Sequence, residues 1–342
     1  MLIVLLDNRV FIIAEAGVNH NGNMNMAYQM IGVARNAGVD AVKFQNFKTE
    51  LLAKRDLEKE TYQKENSYDV ESQFEMLKRL ELSEGETISL KEYSEKAGLK
   101  FISTPYDRES VDLLERIGVD QFKVGSGEIT DLPFLEYIAK KQKPMIISTG
   151  ASYINEIEEA VEVISAYNKE IILLHCTSCY PTRLKDVNLD AMKTLMQIFE
   201  FPVGYSDHTT GIYVSVAAVA IGAKVIEKHF TLDKELSGPD HKASLNPDEL
   251  KEFVAAIREI ETAMGDYEKR PCDSEEETRL KGRRSILTKS RIRKGEVITE
   301  DLLITKRPGT GIPPKRLREI IGKRAKRDME EDSLISLEDI EK

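Results

Sequence analysis

Short apolar runs that stop at polar residues recur along the first 240 residues of the chain. The run at 10–14 stops at Glu15, and that at 40–42 stops at Lys43, Phe44 and Gln45. The run at 100–102 stops at Ser103, Thr104 and Pro105, and that at 121–124 stops at the loop GSGE, residues 125–128. The run at 144–147 stops at Ser148, and that at 171–174 stops at His175 and the stretch CTSCYPT. PVGYS then leads to Asp207 and His208, and AKVIEK leads to His229 and Phe230. Runs this short, mostly rich in Val and Ile, predict buried strands. Amphipathic stretches fill the gaps at 24–37, 86–97, 109–117, 132–140, 154–167 and 189–199, the first closing on Gly38 as a C-cap. An Ala- and Val-rich crossover helix fits 211–222. Eight strands alternating with helices at roughly 25-residue spacing predict an α/β fold, a (β/α)8 TIM barrel. The gap at 47–82 is longer and charged, and predicts a functional loop with a short helix.

A helix at 246–264 opens on Asn-Pro, which suits an N-cap followed by Pro at N1. The stretch 266–282 is polar and reads as a linker. From 283 the pattern changes to short strands and turns, and KGEVITEDL is echoed near the end by EEDSLISLEDI. The expected organisation is therefore a barrel at 1–265, a linker at 266–282 and a small second domain at 283–342.

Composition narrows the classes. Of 342 residues, 41% are hydrophobic, enough for a sizeable core, and the net charge of −10 gives no general nucleic-acid footprint. The opening MLIVLL is too short for a signal-peptide core or a membrane span and should begin or precede the first strand; a cytoplasmic location follows. Three cysteines argue against a disulfide framework, and Cys176 and Cys179 read as two ordinary thiols rather than a zinc pair.

A barrel draws its active site from the carboxyl ends of its strands. Here those ends carry Glu15, Lys43, Gln45, Thr104, Lys123, Ser126, Glu128, Ser148, Tyr180, Ser206, His208 and His229. Lys43 and Lys123 interrupt apolar runs, AVKFQ and QFKVG, where a solvated lysine has no place. With the nearby hydroxyls they would form a pocket for phosphate or carboxylate oxygens. His208 and His229, on successive parallel strands, could converge on one divalent ion that polarises a carbonyl. Glu15, Glu128 and Asp240 are candidates for proton transfer and for gripping hydroxyls.

IAEAGVNHNG (13–22), VKFQ (42–45), STPYD (103–107), KVGSGE (123–128), ISTG (147–150), HCTSCYPT, GYSDHT, EKHFT and SGPDH together resemble the sialic acid synthase family. ITKRPGTGI (304–312) is similar to that family's antifreeze-like (SAF) domain. The resemblance implies condensation of phosphoenolpyruvate with an N-acylmannosamine-type sugar, first of all N-acetylmannosamine, to give N-acetylneuraminate and phosphate. It implies that His208 and His229 bind Mn2+ or Mg2+. It also implies that Lys43, Thr104, Lys123, Ser126, Ser148 and Ser206 hold phosphoenolpyruvate, and that Glu15, Gln45, Glu128, Tyr180 and Asp240 surround metal, water and sugar. Ser178 stands where some members have Asn, a shorter donor toward phosphoenolpyruvate. Arg307 would reach the sugar's N-acyl group from a partner subunit in a domain-exchanged homodimer. FKTELLAK, EKHFTLDKELSGPDHKAS and TKRPGTGIPP equally resemble bacterial legionaminate synthases, which use a 2,4-diacetamido-2,4,6-trideoxy sugar. A non-catalytic carbohydrate- or ice-binding protein would follow from the C-terminal likeness alone, against which the polar rim speaks. A metal-dependent hydrolase would need more ligands than two histidines.

Overall fold

The computed structural model describes residues 9–66 and 71–341; the expected strand entry at MLIVLL lies outside them. Eight parallel strands alternate with helices: β1 (Phe11–Gly17), β2 (Ala41–Asn46), β3 (Lys100–Pro105), β4 (Phe122–Val124), β5 (Met145–Ser148), β6 (Ile171–Cys176), β7 (Val203–Asp207) and β8 (Val225–His229). Their order is β3-β2-β1-β8-β7-β6-β5-β4, so β1 pairs with both β2 and β8 and the sheet curls into a barrel. Closure is incomplete: β3 and β4 lie side by side without a ladder between them, leaving one unbonded seam.

Alternation along each strand sorts the side chains, because successive residues point to opposite faces. Phe11, Ile13, Ala41, Ile102, Ile146, Ile172, Leu174 and Val225 fill the barrel interior as one buried cluster. Ile12, Val42, Phe44, Phe101, Ile147 and Leu173 face the other way, into the layer between strands and helices. Gly204 on β7 keeps the interior open, since a Cβ there would lie 2.4 Å from the Val225 carbonyl oxygen.

Local signals fix the helices. Met24–Ala37 starts at Asn23, whose side chain accepts from the amides of Asn25 and Met26. It ends at Gly38, whose φ of 82° is left-handed and whose N–H bonds back to Ala34 and Arg35. Pro247–Met264 has the expected Asn246 cap, reciprocated by Glu249. The helix expected from 86 begins earlier, at Glu84, because Ser83 and Glu86 form a capping box that defines the start.

Two expectations need correction. The strands do not stop where polar residues begin: β2 runs through Lys43 and Gln45, whose inward positions face the cavity while Phe44 between them packs outward. Among the described residues the 47–82 gap carries three short helices rather than one, Thr49–Leu52, Thr61–Asn66 and Gln73–Leu80. Val18, Phe47, Met76 and Leu80 form a small apolar cluster that pins this segment. Part of the predicted loop, residues 67–70, lies outside the described residues.

Residues 266–342 form a second compact unit. The stretch 266–282 is not all extended linker, since Glu276–Gly282 is helical and the Leu280 carbonyl accepts from Gly309 N–H at 2.7 Å. The unit has its own core of Ile286, Ile292, Ile298, Ile312, Ile320, Met329 and Ile335. β9 (Ser285–Thr288) and β10 (Leu303–Lys306) pair antiparallel. The echoed segments adopt the same form: a left-handed turn at Gly295 or Asp332, then a 3-10 turn at Glu300–Leu302 or Leu337–Asp339. Among the described residues no helix is long and apolar enough to cross a membrane.

Candidate active site

The period of two along the strands carries the site. One layer above the apolar interior, the inward positions become Glu15 on β1, Lys43 and Gln45 on β2, Thr104 on β3, Lys123 on β4, Ser148 on β5, Cys176 on β6, Ser206 on β7, and Glu227 and His229 on β8. All of these line one cavity of about 160 Å³, joined by Tyr106, Ser126, Ser178, Tyr180 and His208 from the loops. Twelve of the fifteen residues singled out in the sequence thus share one cavity. Asp240 lies in an adjoining cavity that shares Gln45, Tyr180 and His229, with its Oδ2 3.7 Å from His229 Nδ1. Glu128 ends the 3-10 turn Ser126–Glu128 at the rim, its Oε2 buried over Gly125 without a hydrogen bond. Arg307 is exposed on the second unit, just past β10.

The buried lysines are held by charge. Lys43 Nζ lies 2.9 Å from Glu15 Oε2, donates to Thr104 Oγ1 at 3.1 Å, and sits 3.4 Å from Glu227 Oε2. Lys123 Nζ donates to Ser148 Oγ at 2.6 Å and to the Val124 carbonyl at 3.0 Å, and lies 3.7 Å from Glu227 Oε1. Ser206 Oγ donates to the same Oε1 at 3.0 Å. Burial works against the charge on Glu227, but Lys123 and Lys43 outweigh it and hold the carboxyl well below the usual carboxylate range. Burial raises Glu15, with Lys43 only partly offsetting it. Burial likewise pushes Glu128 up to about 7 and Asp240 up to about 6.

Two hydroxyls shape the far wall. Gly150 N–H donates to Ser126 Oγ at 3.0 Å, and a Cβ at Gly150 would lie 2.4 Å from Ser178 Oγ, so glycine leaves this wall open.

The imidazoles meet on the other side. Their ring centroids are 5.3 Å apart, edge to face, and Tyr180 covers both, 4.1 Å from His208 and 5.6 Å from His229. Tyr62, from the helix Thr61–Asn66, stacks on Tyr180. Nδ1 of His208 lies 2.8 Å from the Thr177 carbonyl, to which it donates; against burial, Cys176 and this carbonyl raise the ring above the usual histidine range, and in its neutral form Nε2 is the nitrogen with the lone pair. Nδ1 of His229 is buried without a hydrogen-bond partner. Burial drives His229 well below the usual histidine range, with His208 and Lys43 adding to it, so it is neutral. A neutral imidazole with an orphaned buried nitrogen, beside a second with a free lone pair, fits a divalent ion. Among the described residues no cluster of three or more His, Cys, Asp or Glu is arranged to hold one, so protein nitrogens would leave positions open.

The remaining histidines are structural. His241 Nδ1 bonds Thr231 at 2.7 Å, His175 Nε2 bonds the Val187 carbonyl at 2.8 Å, and His20 Nδ1 accepts from Gly22 N–H. Lys228 points away from the cavity and pairs with Asp207 at 2.9 Å, both fully buried. The three cysteines are free; Cys176 is buried, 3.7 Å from His208 Nδ1 and 3.8 Å from Ser126 Oγ. Glu227, Cys176, Tyr106 and Tyr62 were not among the sequence candidates.

The chain is similar to known proteins along most of its length. The NeuB family matches residues 30–269 and the SAF domain matches 283–341. The chain is 48% identical to the N,N'-diacetyllegionaminic acid synthase of Campylobacter jejuni over 96% of its own length and 99% of that protein. It is 46% identical to the enzyme of the same name from Legionella pneumophila, over 97% and 94%. A crystal structure of N-acetylneuraminic acid synthetase from Leptospira borgpetersenii, in complex with citrate, is 38% identical with a TM-score of 0.71, covering 79% of this chain and 90% of that one. The chain belongs to the NeuB family of sialic acid synthases and ends in a SAF domain.

Proposed function

We propose that this protein condenses phosphoenolpyruvate with 2,4-diacetamido-2,4,6-trideoxymannose to give N,N'-diacetyllegionaminate and phosphate. The observation that carries the reaction class is the meeting of two buried lysines, a ring of hydroxyls and two imidazoles in one cavity. The choice of sugar rests on the 46% and 48% identity to two enzymes named for that product. N-acetylmannosamine, giving N-acetylneuraminate, is the second reading, supported by the 38% identity to an N-acetylneuraminic acid synthetase.

Lys43 and Lys123 supply point charge to the phosphate and carboxylate of phosphoenolpyruvate, and Thr104, Ser126, Ser148, Ser178 and Ser206 supply hydrogen bonds. The substrate's C3 then attacks the sugar aldehyde, water adds at C2, and the C2–O bond to phosphate breaks. A divalent ion, Mn2+ or Mg2+, held by His208 and His229 would polarise the aldehyde oxygen. Tyr180 walls the imidazoles from solvent, and Gln45 and Asp240 stand where sugar hydroxyls would be gripped. Glu15 and Glu128 are the proposed proton carriers, since burial brings both carboxyls toward neutral pH. Arg307 would complete the sugar site from a partner subunit in a domain-exchanged homodimer. A cytoplasmic location accords with the need for phosphoenolpyruvate.

The test is mass spectrometry of the product formed from phosphoenolpyruvate with each sugar. Efficient turnover of the diacetamido sugar is expected; turnover of N-acetylmannosamine alone would favour the second reading, and of neither would reject both.

A further inference from the structure

We propose that Glu227 is a positioning residue of this site: wedged between Lys123 and Lys43, it is the fixed counter-charge that keeps the Lys123 ammonium charged and aimed into the anion pocket before substrate arrives. The inference rests on reading that pocket as a phosphoenolpyruvate site.

The two lysines differ in their partners. Lys43 has a second carboxylate, Glu15, at 2.9 Å. Among the described residues Lys123 pairs with Glu227 alone, and its other contacts, Ser148 Oγ and the Val124 carbonyl, are uncharged. The remaining charges that reach Lys123 are Lys43, Cys176 and Glu15 inside the barrel and Glu128 on the rim. Lys43 opposes its charge, and none of the others is an ion-pair partner. Lys123 is 2% exposed, and burial already lowers it from the ordinary lysine range against the pull of Glu227. A buried ammonium stripped of its counter-ion sheds its proton, because desolvation penalises the charged form. A neutral amine offers no point charge to a phosphate.

Geometry also says why Glu227 acts through the lysine and does not contact substrate. It stands one pleat below His229, in register with Ser206 on β7 and Ile13 on β1, at the floor of the polar layer. Ser206 Oγ pins its Oε1 at 3.0 Å. A carboxylate so fixed draws the ammonium groups together and would repel an anion brought against it.

The test compares Glu227→Gln and Glu227→Asp with the parent. Glu227→Gln retains a carbonyl acceptor for Ser206 on the Lys123 side, removes the charge, and turns an amide NH2 toward Lys43. At pH 8 its KM for phosphoenolpyruvate should rise on the order of tenfold, climbing further toward pH 9, while kcat changes less than about twofold. NMR of protein labelled at the lysine ε-carbon, with the Lys123 signal assigned by its loss in Lys123→Arg, should show the Lys123 midpoint falling by about one unit or more. Glu227→Asp, which keeps the charge but withdraws it, should give an intermediate midpoint, and it decides the matter if the glutamine variant does not fold. An unmoved Lys123 midpoint, or a loss confined to kcat with KM unchanged, would overturn the inference. A parent chain with no phosphoenolpyruvate turnover would instead sink the proposed function, and the lysine titration would still decide the role of Glu227.

Discussion

His208 and His229 stand edge to face with ring centroids 5.3 Å apart, and the orphaned Nδ1 of His229 has the Asp240 carboxylate as a neighbour at 3.7 Å. Losing one of the two imidazoles would remove half of the nitrogen donors to the proposed ion. His229→Ala should bind Mn2+ far more weakly, by more than the roughly 10- to 100-fold typical of losing a group that only orients a ligand, and lose turnover while keeping its melting temperature within a few degrees. Calorimetric titration of metal into parent and variant, with turnover before and after chelation, checks this. Full activity in both the variant and the chelated parent would remove the metal from the reading.

Gly150 leaves space in front of Ser126, Ser178 and Cys176. Its backbone conformation is open to any residue, so Gly150→Ala crowds the pocket without backbone strain. Overpacking of this kind costs about 1–3 kcal/mol. The expected outcome is a modest fall in melting temperature with KM for phosphoenolpyruvate raised on the order of tenfold, or 1.4 kcal/mol. Steady-state kinetics with each substrate varied in turn would show whether the sugar KM moves instead, which would place the wrong substrate at this wall.

Glu128 titrates at about 7 in the folded protein, chiefly because it is buried, against an ordinary value of 4.5. An acid raised on folding costs no stability below pH 4.5, where both states are protonated; the penalty grows as pH rises and is complete above 7. Glu128→Gln never ionises. It should therefore be more stable than the parent at pH 8, by on the order of 2–3 kcal/mol, and gain nothing at pH 4. Denaturant unfolding of the metal-free proteins at the two pH values measures this, and an equal gap at both would contradict the assignment.

Lys228 and Asp207 form a fully buried pair behind the cavity, with Asp207 also accepting from Thr209 and Ser215. Breaking one partner of such a pair costs about 3–5 kcal/mol. Asp207→Asn should lose about that much by urea unfolding and shed activity only in step with the folded fraction. A variant as stable as the parent would mean that Lys228 finds another partner or gives up its proton cheaply.

Arg307 sits on the small unit, and the proposed sugar contact requires a partner copy. Arg307→Ala should raise KM for the sugar on the order of tenfold while leaving that for phosphoenolpyruvate near the parent value. A chain truncated after Leu280 should lose sugar turnover. Sedimentation of both would report the assembly, and full activity in a monomeric truncated chain would end the partner-subunit account.

The barrel was legible because strand and helix each leave a local signature, and because Lys43 and Lys123 interrupt apolar runs where only a site accommodates an ammonium. Glu227 obeys the same rule inside AKVIEKH, and counting back by two from His229 finds it. The more conspicuous Lys228 faces outward to Asp207. Counting forward by two from Leu174 similarly finds Cys176. Tyr62 and Tyr106 left no such trace. Their placement depends on long-range contacts, such as Asn66 Nδ2 with the Pro239 carbonyl and Tyr106 N–H with the Asn46 carbonyl, that no local pattern encodes. Nor does any run of residues announce which of eight ladders will fail to form.

That missing ladder falls between β3 and β4, and the groups proposed to grip the anion stand on both of its banks. Lys43 and Thr104 belong to β2 and β3 on one side, Lys123 and Ser148 to β4 and β5 on the other. A ligand held by all four would act as a stitch, supplying across the gap the cohesion that backbone amides supply everywhere else. The barrel would then be fully hooped only when loaded, and slower amide exchange along both banks would register the arrival of substrate.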